Sequence, residues 1–200
     1  MSDNEEMEAI QAKAAVLVEA LPYVRHFRGS TFVVKYGGSF MDAPDPETRS
    51  RVARDIVFLN SVGIRVVVVH GGGKAITRTM NERGIESVFV DGLRVTDSRT
   101  IEIVDEVLNL KVNGEVAAFV EENDCEVERL PGKEVLQCVK LDSDPDLGFV
   151  GEITGVLVDS IDEALDKGKV PIISSTAADS TGVCHNVNAD IAAAKIAIGL

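Results

Sequence analysis

The stretch VVVVHGGGKAI, residues 66–76, carries four valines straight into a histidine, three glycines and a lysine. So dense a β-branched run reads as a strand buried on both faces, as a parallel sheet requires. Helical spacing resumes after the glycines, which therefore sit between a strand end and a helix start. Three adjacent glycines lose much conformational entropy on folding, so something at this junction needs bare backbone. A second stretch, VVKYGGS at 33–39, repeats the device. Ligands of open α/β sheets bind beyond the carboxyl ends of the strands, and a helix N-terminus offers unpaired N–H groups to an anion. Either loop alone reads as an ordinary strand-to-helix turn. The two together, on adjacent strands, suit a phosphoryl group gripped from two sides.

Other glycine motifs fail on spacing. A G-x-G-x-x-G fingerprint needs glycine where Ile76 stands, and a G-x-x-x-x-G-K-[ST] loop needs glycine at Val68 and a hydroxyl at Ala75. HGGG also builds lipase oxyanion holes, but the chain has no G-x-S-x-G nucleophile elbow.

Outward from this centre the chain alternates strands with helices. TFVVKYGG (31–38) reads as the first strand, and Asp45-Pro46 opens a helix with a Val52, Ile56, Leu59 stripe that Gly63 stops. A helix over about 73–83 ends at Gly84, and IESVFV (85–90) reads as a third strand. A long helix is expected over 98–122, with Ile101, Val104, Leu108 and Val112 on one side. Between 125 and 158 short alternating strands, VLQCVKL and FVGEITGVLV, suggest a hairpin beside the main sheet. Ser160 and Glu163 have capping-box spacing for a helix ending at Gly168; KVPIISS is another buried strand, and NVNADIAAAKIAIGL starts a last helix. Met7, Ile10, Ala14, Leu17 and Leu21 give an N-terminal amphipathic helix over 5–21, ending near Pro22. The fold class is α/β, with a mainly parallel central sheet flanked by helices and a β-hairpin region. The last helix runs to Leu200 without a cap, which suggests a longer protein.

Composition narrows the function classes. A net charge of −13, from 33 acidic against 20 basic residues, disfavours nucleic acid. No apolar run approaches the ~20 residues of a membrane span. The acidic start MSDNEEMEAI is no secretory or mitochondrial leader, so a cytoplasmic location is expected. Cys125, Cys138 and Cys184 lack C-x-x-C spacing and read as buried free thiols; no metal ligands are assigned.

Three polar positions stand out. Lys35 interrupts an apolar strand just before two glycines, where a lysine reaching a phosphate outweighs one snorkelling from the strand end. Arg94, in DGLRVTD, suits a substrate carboxylate, against a surface salt bridge to Asp91 or Asp97. HNVNAD (185–190) puts two amides and a carboxylate at a helix start: Asn188 suits an N-cap, and Asp190 could orient a catalytic lysine.

Taken in order, LPYVRHFRGSTFVVKYGGSFM, VVVVHGGGKAI, FVDGLRVTD, LGFVGEITGV and NVNADIAAA resemble the acetylglutamate kinases of the amino acid kinase family, from about residue 15 to the end. The resemblance implies that ATP, with Mg2+, phosphorylates the side-chain carboxylate of N-acetyl-L-glutamate for arginine biosynthesis. It implies that Lys35 stabilises the transferring phosphoryl group, with Gly37 and Gly38 on the phosphoryl side. Gly72, Gly73, Arg94 and Asn186 would hold the substrate, and Asp190 would orient the catalytic lysines. Residues 1–26 would then be an oligomerisation helix and 27–200 the substrate lobe. The nucleotide lobe is expected after 200, leaving the 200-residue piece alone inactive. A homo-oligomer is implied, a dimer or an arginine-inhibited hexamer, with no nucleic-acid or membrane partner. The alternatives are a kinase for a related acidic amino acid derivative, or a non-catalytic substrate-binding module.

Overall fold

The computed structural model describes residues 3–38 and 45–200. Ser39 of the first glycine loop therefore lies outside the described residues. The central sheet contains β1 (Thr31–Tyr36), β2 (Arg65–His70), β8 (Val170–Ser174) and β5 (Val127–Leu130), in the order β1-β2-β8-β5. Every pairing in it is parallel. Register aligns Tyr36 with His70 and His70 with Ser174, so three strands end at one level. That common edge creates the site.

The valines of β2 divide the core by period two. Val66 and Val68 pack with Ile56 of α2 (Pro46–Ser61), and with Ile76 and Met80 of α3 (Gly73–Glu82). A long helix covers the same face. It comprises α4 (Ser98–Glu106), a π-helical turn (Val107–Val112) and α5 (Asn113–Glu121). Val67 and Val69 face the other way, onto α7 (Asp159–Asp166), α8 (Ala189–Gly199) and a second sheet. That sheet contains β6 (Leu136–Lys140), β7 (Gly151–Val156), β9 (Thr176–Ala178) and β10 (Cys184–Asn186), in the order β10-β9-β6-β7. The β6–β7 pair is the expected hairpin, antiparallel and laid beside the main sheet. A short helical turn, α6 (Gly132–Val135), links β5 to β6. Only glycine fits at 132, where a Cβ would lie 2.0 Å from the Ser174 carbonyl oxygen.

Four expectations are corrected. IESVFV is not a third strand of the sheet: only β3 (Phe89–Val90) is extended, paired with β4 (Leu93–Arg94) in a separate hairpin. The vacant place beside β8 goes to β5, within a segment expected to contribute only hairpin strands. Ser160 caps nothing: α7 begins one residue earlier, its N-cap is Val158, and Glu163 instead binds Lys167 at 2.6 Å. The N-terminal helix α1 runs Asp3–Phe27, past Pro22. Proline removes the bond to the Val18 carbonyl, but Val18 is exposed, so water can replace that bond. Phe27 then stacks edge-on against Phe32 of β1, tying the helix end to the sheet. The three cysteines are free thiols, as expected; Cys125 and Cys138 are buried and Cys184 half-buried.

Candidate active site at the ends of three parallel strands

A cleft of about 250 Å3 opens over the aligned ends of β1, β2 and β8. Lys35, Gly37, Gly38, Gly72, Gly73, Arg94, Asn186 and Asp190 all line it, so the structure brings together every residue singled out in the sequence. They come from four separated segments and meet because register puts the strand ends side by side.

The glycines serve close approach rather than left-handed backbone, since none of Gly37, Gly71, Gly72 and Gly73 has positive φ. A Cβ at Gly72 would lie 2.7 Å from Leu108 Cδ2, and one at Gly71 would lie 3.3 Å from the Ala189 Cβ. At Gly73 it would meet nothing within 4 Å, since that side opens into the cleft. Helix α3 starts at Gly73 with Gly72 as its N-cap, and no side chain caps it. A helix start of this kind, facing the cleft through Gly72 and Gly73, is suited to an anion. The second helix start at the cleft, that of α8, is capped. Asn188 Oδ1 accepts from the N–H groups of Asp190 (2.8 Å) and Ile191 (3.1 Å), as its position suggested.

Lys35 is less buried than its strand context implied. Its side chain is 36% exposed, and its Nζ lies 3.2 Å from Asp190 Oδ1 across the cleft. A Cβ at Gly37 would fall 3.1 Å from that ammonium, so the glycine leaves the room it occupies. Asp190 thereby fixes the lysine head over the first glycine loop.

Arg94 is not a surface salt bridge. It is 5% exposed, and among the described residues no carboxylate pairs with it. Nη1 donates to Ser87 Oγ (2.6 Å), Nη2 to the Gly73 carbonyl and Thr77 Oγ1 (both 2.9 Å). Its guanidinium carbon stands 4.6 Å from the Phe89 ring centroid. Burial lowers its pKa from the usual arginine value, yet no arginine in a protein loses its proton at neutral pH. A buried cation held only by neutral groups is costly unless a ligand supplies the negative charge. The proposed rival partner Asp97 is occupied elsewhere, capping α4 by accepting from Thr100 N–H at 2.8 Å. Asn186 Nδ2 faces Thr96 Oγ1 at 3.4 Å, placing this amide beside the β4 end.

Sequence reading passed over His70, the last residue of β2. It is fully buried beneath the glycine loop, and burial pushes its pKa down to about 4. The native state therefore excludes a proton that the unfolded chain accepts near pH 6.5. Stability from this residue is complete above the unfolded pKa and falls as pH drops toward 4, by up to about 3 kcal/mol. Denaturant unfolding across this window should show a steeper loss for the wild type than for His70→Asn. Parallel curves would refute it.

An α/β fold with two glycine loops, a lysine–aspartate pair and a buried arginine at one edge has the chemistry suited to small anions. Residues 30–200 match the sequence profile of the amino acid kinase family, and the chain belongs to that family. Acetylglutamate kinase of Thermoanaerobacter sp. (strain X514) is 45% identical over 191 residues, covering 94% of this chain and 63% of that protein. Acetylglutamate kinase of Synechocystis sp. (strain ATCC 27184 / PCC 6803 / Kazusa) is 44% identical over 194 residues, covering 96% and 65%. The chain thus spans less than two thirds of the length of these relatives. Among solved structures, N-acetylglutamate synthase of Neisseria gonorrhoeae in complex with coenzyme A and L-arginine superposes with a TM-score of 0.74 at 25% identity. That match covers 92% of this chain and 44% of the synthase. The protein smu.665 of Streptococcus mutans UA159 gives a TM-score of 0.75 at 27% identity, covering 84% and 67%. No helix among the described residues is long and apolar enough to cross a membrane.

Proposed function

We propose that the full-length protein transfers the γ-phosphoryl group of ATP to the side-chain carboxylate of N-acetyl-L-glutamate, forming an acyl phosphate for arginine biosynthesis. The observation that carries this reading is Arg94: a buried cation with no acidic partner among the described residues, at the edge of a cleft whose floor is two glycine loops. Nη1 and Nη2 serve Ser87, Met80 Sδ, Gly73 and Thr77, so the Nε–H and the positive charge are what Arg94 offers the substrate α-carboxylate, with Asn186 beside it. Gly72 and Gly73 present backbone to the reacting end of the substrate, Gly37 and Gly38 to the phosphoryl group. The nucleophile is already a carboxylate, so no general base is needed. Alignment and charge stabilisation supply the catalysis, from Lys35 held by Asp190. The described residues include no cluster of acidic or histidine side chains for a metal, and we assign none to Mg2+. Mg2+ characteristically enters such sites on nucleotide phosphates.

In this reading residues 27–200 are the substrate lobe and the nucleotide lobe follows residue 200. Full-length protein supplied with ATP, Mg2+ and N-acetyl-L-glutamate should release ADP in step with a hydroxylamine-trapped acyl phosphate. Turnover restricted to another acidic amino acid derivative, such as an acetylated aminoadipate, would reject the substrate assignment.

Helix α1 is the oligomerisation element of the proposal. Met7, Ile10, Leu17 and Leu21 are exposed, Leu17 by 70%, and an isolated helix with such a stripe is marginal in water. Contact through α1 would join dimers into an arginine-inhibited hexamer. Light scattering should give a smaller particle, insensitive to arginine, for protein starting near Leu21. Unchanged mass and arginine response would assign the helix to the monomer.

A further inference from the structure

We propose that His70 is a positioning residue: as the neutral Nδ1–H tautomer it holds the Gly71 carbonyl inward and so turns the Gly72 N–H toward the reacting anion. The inference rests on the proposed phosphoryl transfer for its catalytic consequence, but not for its geometry.

The tautomer follows from a chain of fixed donors. Arg129 can only donate, and its Nε lies 2.9 Å from Asn113 Oδ1. The Asn113 amide is therefore oriented with its nitrogen on the far side, where Nδ2 donates to the Ile172 carbonyl at 2.9 Å. That same Nδ2 lies 3.2 Å from His70 Nε2. An N–H facing Nε2 requires the ring nitrogen to accept, so the single proton of the neutral imidazole sits on Nδ1. Nδ1 lies 3.1 Å from the Gly71 carbonyl oxygen, which accepts that proton's hydrogen bond. The opposite tautomer would set two N–H groups against each other on one side and two lone pairs on the other. Burial of the ring, at 0% exposure, makes either mismatch costly.

The consequence passes through one peptide plane. In a trans peptide the carbonyl and the following N–H point in opposite directions. Anchoring the Gly71 carbonyl to the buried imidazole therefore directs the Gly72 N–H away from the interior, on the cleft side. No described hydrogen bond uses that N–H, whereas the Gly72 carbonyl is engaged by Ile76 N–H at 2.9 Å. Without the His70 bond, nothing described here holds the Gly71 carbonyl, and the glycine peptide is free to turn over. Asn113 and Arg129 thus act on the loop from the far side of β2.

Two measurements on the full-length protein test this. Long-range 15N–1H spectra of histidine-labelled wild type should show His70 with a protonated Nδ1 and a bare Nε2 at neutral pH. A protonated Nε2 overturns the proposal without any assay, and stands apart from whether acetylglutamate is the substrate. Second, His70→Phe keeps a ring of similar size but no donor, and should lower kcat about 10²-fold, as for a displaced catalytic group, with little change in KM. His70→Asn places an amide N–H where Nδ1 was and should restore most of that loss. Equal losses in the two variants, or none in His70→Phe, would show that the ring acts through packing alone.

Discussion

Lys35→Ala in the full-length protein should lower kcat for the proposed phosphorylation of N-acetyl-L-glutamate by roughly 10²–10³-fold and leave KM for that substrate near wild type. The expectation follows from where the ammonium sits. Its Nζ lies over the first glycine loop and 3.2 Å from Asp190, where the proposed reading puts the phosphoryl group. Charge accumulates on the equatorial oxygens of the phosphoryl group as it transfers, so a cation there is worth more in the transition state than in the ground state. In the proposed reading Asp190 acts through the lysine. Asp190→Asn keeps the side-chain shape but loses the charge pairing, and its kcat should fall between wild type and Lys35→Ala. Steady-state kinetics of both variants decide the matter. A wild-type kcat in Lys35→Ala removes the lysine from the chemistry, and a raised KM with normal kcat makes it a substrate-binding group instead.

The lysine, the arginine and the glycines were legible because each violates a local rule. A lysine ends an apolar strand, three glycines precede a helix, and an arginine follows a strand-like run. Each anomaly was readable within a few residues. What escaped depends on long-range pairing. IESVFV has strand composition, but β-propensity reports fit to a half-buried surface and does not say which sheet supplies it. The place beside β8 went to Val127–Leu130, close in space and forty residues away in sequence. The π-helical turn is equally silent, since Ile101, Val104, Leu108 and Val112 keep their buried face through it. His70 was the most consequential omission. Its partners Asn113 and Arg129 lie on a helix and on an edge strand, and only the folded sheet brings them to its ring. The sole local sign was an asparagine among buried apolar residues of the long helix. Ser160 failed for the opposite reason. The capping-box spacing was present, but Asp159 and Asp162 already complement the dipole of a helix that begins one residue earlier.

Arg94→Lys should weaken binding of the proposed substrate N-acetyl-L-glutamate by roughly 10²-fold, with a smaller effect on kcat once substrate is saturating. The wild-type guanidinium spends four of its five N–H donors on protein acceptors, one of them Met80 Sδ at 3.3 Å, and keeps Nε–H for a ligand. Nη1 serves Ser87 and Nη2 serves the Gly73 carbonyl and Thr77, which fixes the plane of the fork against α3 and over the Phe89 ring. A lysine supplies the same charge as a single tetrahedral point. It cannot satisfy Ser87, Thr77 and Gly73 together and still meet a carboxylate. Either the buried protein acceptors or the ligand lose charge-assisted bonds worth about 1.5–3 kcal/mol each. The protein should also melt earlier, because Arg94 is the shared partner of α3 and the residue 87 loop. Calorimetric titration of Arg94→Lys with N-acetyl-L-glutamate, beside a thermal melt, separates the two effects. Wild-type affinity in a variant that melts early would leave Arg94 a structural cation. Weakened affinity at unchanged melting temperature would instead place the whole cost on the ligand carboxylate, the acidic partner that Arg94 lacks among the described residues.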